Sequence, residues 1–170
     1  EPRSIYGKIV SSADRNTMVD KPLMRTYAYR IVHNPNDSLE SIIEESRKHI
    51  QEKFGNKGYA TEKMYFEDEE YKSFLKEIAI LANDEEEFKK RYFEVNGLND
   101  PLKLNFDEIK RHNPNMSLDE VLYAVYEVVK DEYNKPFDVV RNLILEVNGI
   151  DELDYYTKNV TLLPYLHIHA

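Results

Sequence analysis

The sequence predicts an all-α fold, a helical bundle followed by a small helical C-terminal subdomain. Apolar residues recur at three- and four-residue steps through most of the chain, as in Tyr71, Phe74, Leu75, Ile78 and Leu81. Helix-start and helix-stop residues bracket those stretches. A break at "LNDPLKLN", residues 98 to 105, divides residues 1–99 from 100–170.

The first helix is expected over residues 4 to 15. At about 100° per residue, Ile5, Ile9 and Ala13 fall on one side and Gly7, Val10, Ser11 and Asp14 on the other. A helix apolar on one side and small or apolar on the other is expected to be buried on both. That places Asp14 among buried neighbours, where a carboxylate needs a cation, a metal or several donors. Arg15 points roughly 100° away from it. The plainest partner for Asp14 is an arginine of the next helix, such as Arg25.

That next helix is expected from Asp20, as N-cap, to His33, with Pro22 in its first turn, where a missing N–H costs nothing. "HNPNDSLE" turns the chain, and Ser38 caps "LESIIEESRKHIQEKF", which stops at Gly55. "GNKGYATEKMYF" reads as a loop, "DEEYKSFLKEIAILAN" as an amphipathic helix, and "DEEEFKKRYFEVNG" as another with Gly97 after its end. Beyond the break, Ser117 and Glu120 form a capping box, and Val121, Leu122, Val125, Val128 and Val129 form an apolar stripe that is core or a docking face. "KPFDVVRNLILEVNGI" supplies a last helix, and "NVTLLPYLHIHA" has strand-like content. This second region could pack on the first, form a homodimer or bind a partner.

Two phrases recur. "HNPNDSLE" at 33–40 matches "HNPNMSLD" at 112–119, an offset of 79, and "EVNGL" at 94–98 matches "EVNGI" at 146–150, an offset of 52. Unequal offsets exclude a solenoid. A diverged duplication and a reuse of the same helix punctuation both fit.

The chain carries a net charge of −9, but residues 1–33 hold six basic groups against three acidic, leaving −12 for the remainder. Such an acidic body repels an extended nucleic acid, while the basic stretch suits a small anion. No apolar run approaches the ~20 residues of a membrane-spanning helix. The absence of cysteine excludes thiolate metal sites and fits a reducing cytoplasm.

"YGKIVSSADRNT", then "RTYAY", "HIQEKFGNKGYA" and "KMYFED", resembles the later part of HD-superfamily metal-dependent phosphohydrolases, within a bacterial, largely uncharacterised group. The likeness covers roughly residues 3 to 98. It implies a helical HD-like bundle, a divalent metal ion, and a small phosphorylated molecule or nucleotide as substrate. Asp14 matches the family's later metal-binding aspartate, with Lys8, Arg15 and Arg25 as phosphate or carboxylate partners. The family's other ligands, a histidine and a His-Asp dipeptide, lie upstream of the "ADR" phrase. No His-Asp dipeptide occurs in these 170 residues, so the chain is expected to be a piece of a longer protein. The alternative is a catalytically inactive binding or regulatory module on the same scaffold. Of the five histidines, His33 and His112 belong to the repeated turns and His49 to a highly charged helix. His167 and His169 alternate, which on a strand would put both on one side.

Overall fold

The computed structural model describes residues 4–6, 18–55, 58 and 68–153, and the regular structure among them is helical. The chain divides into two compact units, residues 1–98 and 99–170. Unit 1 contains α1 (Asp20–His33), α2 (Leu39–Phe54), α3 (Glu69–Asn83) and α4 (Glu85–Val95). Unit 2 contains α5 (Pro101–His112), α6 (Leu118–Tyr133) and α7 (Phe137–Val147). Most of the expected first helix, with its Asp14 side, lies outside the described residues, as does the tail beyond 153.

In unit 1 the core is built from Leu23 and Tyr27 of α1, Ile42, Ile43 and Ile50 of α2, and Phe88 and Tyr92 of α4. Tyr92 meets Tyr27 edge-on, with ring centroids 6.0 Å apart. Asp20 was expected to cap α1, but Val19 holds the N-cap position without a side-chain cap. Asp20 instead lies in the first turn and pairs with Arg91 of α4 at 2.8 Å, a charged partner in place of its own backbone. Ser38 caps α2 through the Ser41 amide, as expected.

Gly55 ends α2 with extended rather than left-handed backbone (φ −66°, ψ 176°). Glycine is required there by closeness: a Cβ would lie 2.4 Å from the Gln51 carbonyl oxygen. Helix α3 packs on α2 through Phe74 against Phe54. Arg47 and Gln51 of α2 both donate to the Ala82 carbonyl at the end of α3, at 2.9 and 3.1 Å. Two donors, one of them cationic, thus satisfy a carbonyl that the helix leaves open at its negative end.

The boundary between the units falls at 98/99, within one residue of the expected one, and α5 begins inside the 98–105 break. Asp100 accepts from the Leu102 amide and Pro101 occupies the first turn, so α5 is already helical at 101. The capping box of α6 is present in both directions, Ser117 with Glu120. Val121, Leu122, Val125 and Val129 are buried, whereas Val128 is 61% exposed. Val128 falls at the edge of the stripe, some 60° from Val125, rather than within it.

The two units contain the same three-helix module. At the offsets of 79 and 52 residues, α1, α2 and α4 correspond to α5, α6 and α7. The Asn96 side chain donates to the carbonyls of Leu23 and Tyr92; Asn148 donates to those of Leu102 and Ile144, the equivalent pair. Gly97 and Gly149 both adopt positive φ, 68° and 61°. After each of them an amide turns back to the same position, Leu98 to the Phe93 carbonyl and Ile150 to that of Leu145, both at 2.9 Å. Core contacts are exchanged in pairs: a buried Ser46–Tyr92 hydrogen bond of 3.0 Å stands where unit 2 has buried Val125 and Ile144. A side-chain bond that keeps both of its ends under two different offsets is not explained by reused punctuation. The arrangement is the one a diverged duplication would leave, and the 27-residue difference is the segment carrying α3: 30 residues join α2 to α4, three join α6 to α7.

Candidate functional site

Of the residues singled out in the sequence, Arg25 is described; Lys8, Asp14 and Arg15 lie outside the described residues, as do His167 and His169. Arg25 is exposed on α1. Arg25 and Tyr29, and Thr26 and Arg30, are spaced one helical turn apart and share a side of the helix. These four and His49 of α2 line a pocket of about 550 Å³. No carboxylate is among these described lining residues.

Several of these groups are already held. Arg30 donates through Nη2 to the Glu45 carbonyl at 3.3 Å, tying α1 to α2 and restricting where its guanidinium can go. Thr26 donates to the Leu23 carbonyl at 3.1 Å. Tyr29, 60% exposed, lies against the His33 ring at a centroid distance of 4.1 Å. Towards the core, Ser46 donates to the Ile42 carbonyl at 2.7 Å, which leaves the Tyr92 hydroxyl as donor to Ser46. Burial pushes the Tyr92 pKa up. A wall of two guanidiniums, an imidazole and the Tyr29 hydroxyl over this packed layer favours an anion with several acceptor oxygens.

The second copy of the module acts as an internal control. At the positions of Arg25, Thr26, Tyr29, Arg30 and His49, unit 2 has Leu104, Asn105, Glu108, Ile109 and Val128. The three-helix fold forms without any of the cations, so their presence in unit 1 is not a requirement of packing. Charge asymmetry in the sequence pointed to Arg25, and its helical spacing leads to Arg30. His49 comes from α2 and is brought there only by the α1–α2 packing.

Metal chemistry has no set of ligands among the described residues: no group of three or more His, Asp or Glu side chains lies close enough together to hold an ion. His33 and His112 occupy the last turns of α1 and α5. Among the described residues, no helix is long and apolar enough to cross a membrane. No family model, no curated protein and no solved structure matches this chain.

Proposed function

We propose that unit 1 recognises the phosphate group of a small phosphorylated molecule, such as a phosphate ester or nucleotide, as the later part of an HD-type phosphohydrolase. The observation that carries this reading is the pocket of Arg25, Arg30 and His49, free of carboxylates among its described lining and absent from the duplicated copy. A phosphate oxygen pair matches the two-pronged donor face of a guanidinium, and Tyr29 offers a hydroxyl beside it. In the same reading Asp14 is one metal ligand and Lys8 and Arg15 are further phosphate partners. The described residues do not complete a metal site. A cysteine-free chain suits the bacterial cytoplasm that this assignment entails.

Calorimetric titration of the chain with phenyl phosphate tests the pocket. Arg25→Ala and Arg30→Ala should each weaken binding about tenfold, as expected for losing one charge-assisted contact of roughly 1.5 kcal/mol. Affinity unchanged in both variants would discard the pocket. In a product of the reading frame that includes an upstream histidine and His-Asp pair, Asp14→Ala should remove both metal binding and metal-dependent phosphatase activity. A second reading, a binding module without catalysis, is favoured by unit 2, whose copy of the fold has replaced every one of these cations.

A further inference from the structure

The duplication also exposes a place where unit 2 has gained a feature. In unit 1, Arg47 forms ion pairs with Glu44 at 2.7 Å and with Glu85 at 3.2 Å, joining α2 to the start of α4. The equivalent positions in unit 2 are Tyr126, Tyr123 and Phe137. These three form a mutual aromatic cluster, with centroids 6.1 Å apart for Tyr123–Tyr126, 5.5 Å for Tyr123–Phe137 and 5.3 Å for Tyr126–Phe137. A closed ion triad has become a closed aromatic triad.

Packing explains only part of that exchange. Tyr126 and Phe137 are half-buried and take over the link between two helices, but Tyr123 is 53% exposed. Its surroundings are acidic. Asp119 and Glu127 lie one turn to either side of Tyr123 on α6, Asp138 follows Phe137 and is exposed, and Glu152 pairs with Arg141 at 2.7 Å. Against these four carboxylates stand Arg141 and Lys130, the latter bonded to Glu127, leaving two net negative charges around the rings.

We infer that the Tyr123–Tyr126–Phe137 cluster of unit 2 is a docking site for a basic segment of a partner polypeptide, with an arginine side chain seated on the Tyr123 ring. A ring face attracts a cation through its quadrupole, and guanidinium also stacks on it. The acidic rim supplies the matching long-range attraction and repels nucleic acid and phosphate. This occupant therefore fits both the aromatic half of the patch and its net negative charge, whereas an apolar helix would leave that charge unbalanced.

The full chain, labelled with nitrogen-15, is titrated with a capped hexa-arginine peptide, with hexa-glutamate as control. Amide shifts are expected at Asp119–Glu127 and Phe137–Arg141 with hexa-arginine only. Tyr123→Ala should weaken binding at least fivefold and Tyr123→Phe should retain it, since the ring and not the hydroxyl makes the contact. Asp138→Asn should weaken it about twofold and steepen no salt dependence. Equal binding by wild type and Tyr123→Ala, or shifts confined to unit 1, would overturn the inference. Concentration-dependent self-association that Tyr123→Ala abolishes would overturn it in favour of a second copy as occupant. Tyr123→Gln provides the same comparison should the alanine variant fail to fold.

Discussion

The buried Ser46–Tyr92 pair allows a quantitative test of the unit 1 core. Tyr92 is fully buried, and its hydroxyl donates to Ser46, whose own proton is committed to the Ile42 carbonyl. Tyr92→Phe removes one internal hydrogen bond and leaves Ser46 with a partner, so it should cost about 1 kcal/mol. Ser46→Ala leaves the Tyr92 hydroxyl buried and lacking one of its partners, with a cost of about 1–3 kcal/mol. In the double variant the orphaned hydroxyl is gone, so its cost should fall below the sum of the single variants by roughly 1 kcal/mol. Urea unfolding followed by circular dichroism measures the cycle, with hydrogen exchange of unit 1 amides assigning the transition. There is a pH signature as well. Because burial raises the folded pKa of Tyr92, the folded state holds its proton more tightly, and stability should be complete below the unfolded value near 10. Above that it should fall by up to about 1.4 kcal/mol per pH unit until the folded pKa is passed, and Tyr92→Phe should abolish this alkaline contribution. Single-variant costs that simply add, together with an alkaline slope unchanged in Tyr92→Phe, would refute the assigned bond.

Other perturbations probe features shared by the two copies. Ser117→Ala removes the side-chain half of the α6 capping box, the bond from the Glu120 amide, and should lower the thermal stability of unit 2 by about 1 kcal/mol. Gly149→Ala meets nothing within 4 Å, so its cost, about 1 kcal/mol, should come from the positive φ alone and be smaller for Gly149→Asn. Leu122→Ala, at a fully buried position of α6, should cost 2–5 kcal/mol by leaving a cavity, readable in urea melts. Val128→Ala, on the exposed edge of the same helix, should stay within about 0.5 kcal/mol of wild type.

Much of the helical fold was legible in local chemistry. The Ser38 and Ser117 caps, the acidic starts of α3 and α4 and the positive-φ glycines after α4 and α7 are properties of a few adjacent residues, and they set helix ends wherever the chain goes. Two helix starts depart from that local pattern. Asp20 has the right side chain for a cap but finds Arg91, 71 residues away. Residues 101–105 resemble a linker because Pro101 interrupts a pattern, yet a proline in the first turn is compatible with helix. Two short phrases at unequal offsets carry too little information to separate a duplication from reused helix punctuation. The shared module becomes clear from Asn96 and Asn148, whose bonds pair positions that sequence comparison treats separately. In the candidate site, spacing reveals Arg25 and Arg30 as neighbours, while His49 arrives from another helix and carries no local mark of its role.

The unequal connections in the two copies have a consequence for how each is made. To bring its third module helix onto the first two, unit 1 must close a stretch of 30 residues, whereas unit 2 closes three. Before α3 forms, that tenfold difference in length corresponds to a chain-entropy cost of about 2 kcal/mol. Contacts close in sequence assemble sooner at comparable stability. The same architecture thus carries two different clocks: unit 2 is expected to reach its native helices first, in stopped-flow refolding with exchange labelling, and unit 1 to follow once α3 has docked.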